Sequence, residues 1–474
     1  MKTIVIDPVT RIEGHAKITI QLDKDGKVAD TTFHVTQVRG FEKFVEGRPY
    51  YEMPAITARI CGICPISHLL AASKACDAIM AVRIPQTAAR LREILHCGQF
   101  IQSHALSFFH LSAPDLLLGL DSAPERRNII GILQDHPDIA RDGIALRKFG
   151  QQVIEGLAKE RIHPAWIVPG GVNAPLRRPV RDRILKELPD AKAIAVRTLE
   201  FFKGILDRFP DEIATFGNVP TMYAGLVDGQ GRLQLYDGTI RFIDAVGTLV
   251  ADQIAGADYA RYIGEAAVPT SYLKAPYFKP AGYPDGIYRV GPLARLNAAT
   301  CCGTAAADVE FAEYHQRFGA VVQSAFHFHY ARLIEIIYAL ERLESLLGDP
   351  GILDRHVRAQ AGVNALEGVG IAEAPRGILI HHYKVNEEGS MLWANLIIAT
   401  GHNNLAISRS IDQVSRHFIK GKRLQEGMLN RVSAVVRAYD PCLSCSTHAD
   451  GQIPLVIDLL EADGTVLDRM SNTR

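Results

Sequence analysis

The chain has 474 residues, 47% apolar and 22% charged, with 52 basic side chains balancing 52 acidic ones. Such a composition belongs to a globular protein with a large core, and formal neutrality argues against a nucleic-acid surface or a polybasic membrane patch. No run reaches the ~18 apolar residues of a spanning helix, and the opening Met1-Lys2-Thr3-Ile4-Val5-Ile6-Asp7-Pro8 lacks the apolar core and cleavage site of a signal peptide. A cytoplasmic protein without a membrane span is expected.

Thr3–Ile6, Ala16–Leu22 and Val28–Val38 read as strands, with Asp25-Gly26 as a hairpin turn. A cysteine-rich loop follows at Arg59–Cys64, and Pro65 suits the first turn of a helix running through Ile66–Val82. Helical periodicity continues over Pro85–Leu111, Pro137–Leu157, Arg181–Phe209, Thr239–Gly264, Ala305–Leu347 and Leu405–Ala438. Leu226–Tyr236 and Pro276–Gly291 are irregular or rich in Gly, Pro and Tyr. Ile378–Lys384 and Met391–Ile398 predict a hairpin around Asn386–Gly389. The tail predicts two short strands, Leu455–Leu460 and Val466–Arg469, about Asp463-Gly464. The expected fold class is mainly α with small β-sheets (α+β), without repeats or linkers.

Eight cysteines stand at 61, 64, 76, 97, 301, 302, 442 and 445. In a long chain without a secretion signal, metal ligation or core packing is favoured over a disulfide framework. One pair lies in Arg59-Ile60-Cys61-Gly62-Ile63-Cys64-Pro65-Ile66-Ser67-His68, the other in Asp440-Pro441-Cys442-Leu443-Ser444-Cys445-Ser446-Thr447-His448. Cys-x-x-Cys spacing turns two thiolates toward one metal, and Gly62 permits the tight turn. Backbone N–H groups inside such a pair reach the sulfurs and tune them. Four soft thiolates suit zinc, an iron–sulfur cluster, nickel or copper(I). A closed zinc site is one alternative, although 378 positions separate Cys64 from Cys442 and zinc pairs usually lie within tens of residues. A thioredoxin-like redox pair lacks its fold signals. Cys76, on a face with Leu69, Ala72 and Ile79, and Cys97 are expected in the core. Adjacent Cys301 and Cys302 receive no role. His96, His104 and His110 do not make a ligand stripe, and Gly368-Val369-Gly370 lacks the third glycine of a dinucleotide fingerprint.

Both cysteine segments resemble the signature motifs of NiFe hydrogenase large subunits, one near each end of the chain. The resemblance extends to Asp7-Pro8-Val9-Thr10-Arg11-Ile12-Glu13-Gly14-His15 and Arg39-Gly40-Phe41-Glu42-Lys43. It includes Gly291-Pro292-Leu293-Ala294-Arg295 and Glu373-Ala374-Pro375-Arg376-Gly377, so it spans nearly the whole chain. It implies that family's fold: a long-helix core, an N-terminal sheet and a C-terminal motif returning to the centre. Residues 1–448 would form one intertwined domain, and the extension 449–474 would be removed after His448 during maturation. The reaction implied is reversible heterolytic cleavage of H2 at a Ni-Fe centre whose iron carries carbon monoxide and cyanide.

Residue by residue, the resemblance makes Cys61 and Cys442 terminal nickel ligands, and Cys64 and Cys445 bridges between nickel and iron. Cys442 would take the proton first and the Glu13 carboxyl would relay it. Arg376 would lie over the open metal site as a fixed charged donor. Asp115 and Asp440 would orient that arginine, Thr400 would donate to a cyanide, and His68 to the bridging sulfur of Cys445. Around Thr400 the segment Ile398-Ala399-Thr400-Gly401-His402-Asn403 departs from the family pattern. Glu42 and His448, with a backbone carbonyl near Leu396, resemble the ligands of a Mg2+ or Fe2+ ion.

Four metal-binding cysteines leave no iron–sulfur cluster for this chain, so electrons would leave through an iron–sulfur small subunit. The Arg48-Pro49-Tyr50-Tyr51 segment and the Cys-Leu-Ser-Cys-Ser-Thr-His ending resemble the cytoplasmic bidirectional NAD-linked group. That group implies flavin- and NAD-binding diaphorase partners, a maturation chaperone and an endopeptidase, with no NAD site in this chain. The alternatives are a hydrogen-sensing regulatory subunit, whose relatives generally lack the extension, a complex I quinone-side relative, which lacks the four cysteines, and a structural zinc protein.

Overall fold

A computed structural model describes residues 2–420, 424–447, 456–460 and 466–471. Long helices occupy the centre. The Pro65–Met80 helix starts with Pro65 in its first turn, where a missing N–H leaves no intrahelical bond unmade. Gln86–Ala105 packs against both Pro137–Ala158 and Phe328–Gly348, and Arg178–Ile205 lies against the last two. From Phe328 to Leu340 every residue of Phe328–Gly348 is buried, as a helix enclosed by other helices requires.

Small sheets border this core. Lys2–Ile6, Ala16–Leu22 and Val28–Val35 form an antiparallel three-stranded sheet. Ile18 and Ile20 turn one face of its middle strand inward, the two-residue period of a half-buried strand. A second sheet takes the order Tyr288–Arg289, Met222–Val227, Thr239–Ile243, Leu249–Ile254. A third, Glu367–Ala374, Gly377–Val385 and Met391–Ile397, lays its first strand on the Pro65–Met80 helix. That approach explains Gly370, because a Cβ there would stand 2.0 Å from the Ala71 carbonyl oxygen. The Gly368-Val369-Gly370 run is thus a helix–strand contact.

The main departure from expectation is Thr239–Gly264, which is a β-hairpin followed by a short helical turn and the start of another strand. Thr239-Ile240-Arg241-Phe242-Ile243 alternates with period two. Asp244 closes the turn by accepting from Val246 N and Thr248 N, both at or below 2.9 Å. An Asx turn of this kind needs only local side-chain bonds, and a mixed apolar pattern had both periods within it. Ala305–Leu347 divides into Ala305–Phe318 and Phe328–Gly348 after Gly319 takes a positive φ. Leu405–Ala438 likewise divides into Asn404–Phe418 and Glu426–Tyr439. The two stretches read as irregular take in the ends of the strands Met222–Val227 and Ser271–Phe278 and the short strand Tyr288–Arg289. In the tail, Val456–Leu460 and Val466–Ser471 pair antiparallel. The architecture is mainly helical with small sheets, as expected, and among the described residues no helix is long and apolar enough to cross a membrane.

Candidate metal centre

The two ends of the chain meet in the interior. Glu13 and Cys442 form a parallel β-bridge, and Leu443 N donates to the Glu13 carbonyl at 3.2 Å. Gly14 makes this possible: it has φ +84, and a Cβ on it would stand 2.8 Å from Leu443 Cβ and 2.9 Å from Ser444 N. Around this seam the sulfurs of Cys61, Cys64, Cys442 and Cys445 all lie within 4.8 Å of one another, and all four residues are buried. Cys61 Sγ and Cys442 Sγ are 3.3 Å apart. Ile63 N and Cys64 N donate to Cys61 Sγ at 3.3 and 3.2 Å, so the Cys-x-x-Cys turn presents its own N–H groups to the ligand atom.

Such a cluster titrates as a unit. Hydrogen bonds from Cys442, Cys445 and Cys61 hold the Cys64 thiol well below its ordinary value, and His68 adds to this. Burial pushes Cys442 and Cys445 well above theirs. The Cys64 thiolate is therefore easy to form and those of Cys442 and Cys445 are not, because several negative sulfurs in a dry space repel one another. A soft divalent cation removes that penalty. Four convergent, buried sulfurs fit a thiolate-bound nickel–iron group.

Arg376 faces this cluster. Its Nε donates to the Asp440 carbonyl at 2.6 Å and its Nη2 to Asp440 Oδ1 at 3.0 Å, while Nη1 has no partner among the described residues. Burial works against its charge, but Asp440, Cys442, Cys64 and Cys61 outweigh burial and raise the guanidinium well above its ordinary value. Thr400 sits beside Cys442, whose N–H donates to Thr400 Oγ1 at 2.8 Å. Glu13 is half-buried, and its Oε2 accepts from Ser444 N at 3.1 Å.

One expectation about neighbours changes. Asp115 does not pair with Arg376. It accepts from Arg11 Nη2 at 2.5 Å and Arg437 Nε at 2.8 Å. Burial would raise Asp115, but Arg437 and Arg11 hold the carboxyl below its usual value. Asp440 alone of the two carboxylates reaches Arg376, because it is the next residue but one before Cys442 and turns in through a left-handed φ of 53. His68, one helical turn after Cys64, adds to the lowering of the Cys64 thiol.

The Gly291–Arg295 and Glu373–Gly377 segments explain each other. Arg295 donates to Glu335 Oε1 and Oε2 at 2.6 and 2.7 Å and to Glu373 Oε2 at 2.7 Å. It also holds the carbonyls of Ala374 and Pro375, each at 3.0 Å, immediately before Arg376. Glu335 takes the bidentate side of the guanidinium and also meets His104 Nε2 at 2.7 Å. Two buried carboxylates share one cation, and burial pushes Glu373 from 4.5 up to about 7. The unfolded chain loses this proton first, so stability falls as pH rises from 4.5 to about 7. The limiting slope is about 1.4 kcal/mol per pH unit. Denaturant midpoints measured across that window should fall more steeply for the wild type than for Glu373→Gln; equal slopes would refute the assignment.

Glu42 is half-buried in the Phe41–Phe44 turn, which packs on the Met391–Ile397 strand carrying Leu396. His448, its expected partner around a second cation, lies outside the described residues, as does most of the extension 449–474. Cys76 and Cys97 are buried as expected, Cys76 donating to the Tyr50 carbonyl at 3.2 Å. Sequence reasoning missed Arg11, Arg437 and Glu335. Only the run of titratable residues in otherwise apolar helices marked Glu335 and Arg437.

A sequence profile described as nickel-dependent hydrogenase matches residues 39–121 and 252–448, and one described as HoxL-like matches residues 3–38. The chain belongs to the nickel-dependent hydrogenase large-subunit family. It is similar to the NAD-reducing hydrogenase HoxS subunit beta of Cupriavidus necator, at 38% identity over 98% of this chain and 99% of that one. It is also similar to a chain of the vhu F420-non-reducing hydrogenase of Methanocaldococcus jannaschii, at 42% identity over 89% of this chain and 100% of the relative. Among solved structures, an NAD+-reducing NiFe hydrogenase in the H2-reduced state matches with TM-score 0.92 and 42% identity, covering 94% of this chain and 100% of that one. A Ni-Fe-Se hydrogenase from D. vulgaris Hildenborough shares the fold at TM-score 0.74 and 22% identity, covering 94% of this chain and 100% of that chain. Membership in a hydrogenase family makes the protein an oxidoreductase and implies a Ni-Fe centre, and it removes the structural zinc protein from consideration.

Proposed function

We propose that this chain splits H2 reversibly and heterolytically at the four-cysteine site and passes the electrons through an iron–sulfur small subunit to NAD+. The observation that carries the reading is the convergence of four buried sulfurs from motifs at opposite ends of a nickel-hydrogenase chain. Cys61, Cys64, Cys442 and Cys445 would hold the metals, with Cys64 and Cys445 as bridges. A nickel–iron group with carbon monoxide and cyanide on the iron would supply the open position at which H2 is polarised. The protein residues do the rest. Cys442 Sγ takes the proton and Glu13 relays it. Support for Glu13 comes from its backbone bridge to Cys442 and from Ser444 N, which fixes the carboxylate beside the second cysteine pair. Arg376 presents Nη1 and a permanent charge to the site, and Thr400, accepting from Cys442 N, keeps its own hydroxyl proton free to donate.

The acceptor follows the relatives named NAD-reducing. Flavin- and NAD-binding diaphorase subunits would complete a cytoplasmic assembly. Glu42 and His448 would hold Mg2+ or Fe2+. A chaperone and an endopeptidase would finish maturation by removing residues 449–474, which intact mass of the nickel-loaded protein would reveal. Glu13→Gln keeps the shape and the hydrogen bond from Ser444 but cannot carry the proton. Proton/deuterium exchange under H2 should fall by at least about 100-fold with nickel content retained; unimpaired exchange would reject Glu13.

A further inference from the structure

His68 opens a chain of buried hydrogen bonds that the roles above leave unused. Its Nδ1 stands 3.2 Å from His381 Nε2, and His381 Nδ1 stands 2.6 Å from the Tyr383 hydroxyl. All three side chains are 0% exposed. His68 comes from the Pro65–Met80 helix, while His381 and Tyr383 occupy alternate positions of the Gly377–Val385 strand and share a face. The remaining ring nitrogen, His68 Nε2, has no hydrogen-bond partner among the described residues.

In a hydrogen bond between two imidazole nitrogens one must donate and the other accept, so each ring constrains the tautomer of its neighbour. Burial keeps His381 neutral, and burial keeps the proton on Tyr383. Two proton patterns then remain. In the inward one Tyr383 donates to His381 Nδ1, His381 Nε2–H donates to His68 Nδ1, and His68 presents an N–H at Nε2. In the outward one every donor points away from the cysteines, toward the Thr57 hydroxyl beside Tyr383, and His68 presents a bare lone pair. A cysteine ligand is a thiolate and accepts only. It attracts an N–H and repels a lone pair, strongly so in a dry interior.

We propose that His381 and Tyr383 are positioning residues that lock His68 as its Nε2–H tautomer, aiming a fixed donor at the Cys64 sulfur. The target sulfur rests on the nickel–iron reading. An outer partner that sets ring orientation and tautomer is how proteins tune metal ligands, and here the device acts through one further hydrogen bond. A donor at sulfur draws electron density from the metals.

The test uses the matured complex with 15N-labelled histidine, the ring nitrogens being assigned with His68→Gln and His381→Gln. Protons on Nε2 of both His68 and His381 are expected; protons on Nδ1 of both would overturn the proposal. Tyr383→Phe should cost His381 its single tautomer. Infrared spectra give a second readout. In His381→Phe the carbonyl band should move to lower frequency with nickel content unchanged, and His381→Gln, whose amide still donates to His68 Nδ1, should restore it. An unmoved band in nickel-loaded His381→Phe overturns the proposal and leaves the hydrogenase reading intact. A wild-type complex without nickel or the band overturns both.

Discussion

Cys442→Ser is expected to leave the protein folded and to strip it of nickel. Serine keeps the size of the side chain, so the packing around Leu443 and the bridge to Glu13 survives. What disappears is a soft ligand. An alcohol stays protonated where a thiol ionises, and its oxygen is a hard donor poorly matched to nickel. Changing an outer partner of a metal ligand already costs about 10–100-fold in affinity, so loss of a ligand should lower bound nickel by at least about tenfold. Cys97→Ala is the control. Cys97 is equally buried but packs in the apolar core, where burial raises its thiol, and its loss should leave nickel in place. Metal analysis of the two purified variants separates a ligand from a core cysteine. Full nickel in Cys442→Ser would contradict the assignment.

Arg376→Lys should retain nickel and lose most of the activity. The guanidinium makes two directed bonds to Asp440, at 2.6 and 3.0 Å, and still has Nη1 left over for the site. A lysine ammonium is a single point on a flexible stem. It can satisfy Asp440 or face the cysteines, but not both in fixed geometry. Removing one preorganised electrostatic donor from an active site typically costs about 100–1,000-fold in kcat. H2 oxidation per bound nickel should fall by that order. Activity within about twofold of wild type would mean that Nη1 does nothing for the reacting centre. The Arg295 clamp on Ala374 and Pro375 is why the effect should be confined to the side chain: the backbone that carries residue 376 is held independently.

The cysteine pairs were legible from their spacing, whereas Glu13, Arg376 and Asp440 were marked only by the resemblance of their segments to the family's motifs. Their convergence was legible only through resemblance, since nothing local brings residue 13 beside residue 442. Asp115 shows where that runs out. Its residue type suited an arginine partner, but the choice between Arg376 and the pair Arg11 and Arg437 is made by tertiary packing across 104 positions to Arg11 and 322 to Arg437. His381 and Tyr383 were hidden for a similar reason: inside an apolar strand they read as ordinary interior positions until the Pro65–Met80 helix places His68 against them. The Thr239–Ile243 strand was misread because its short alternation fits helical and extended periods alike, and its Asp244 turn declares itself only through side-chain bonds to the backbone.

The most direct measurement is the infrared spectrum of the purified, matured complex under H2, with metal analysis of the same sample. Nickel together with cyanide and carbonyl bands that shift when H2 is admitted is the predicted result. A cysteine site holding zinc, with no such bands in fully matured protein, would contradict the account.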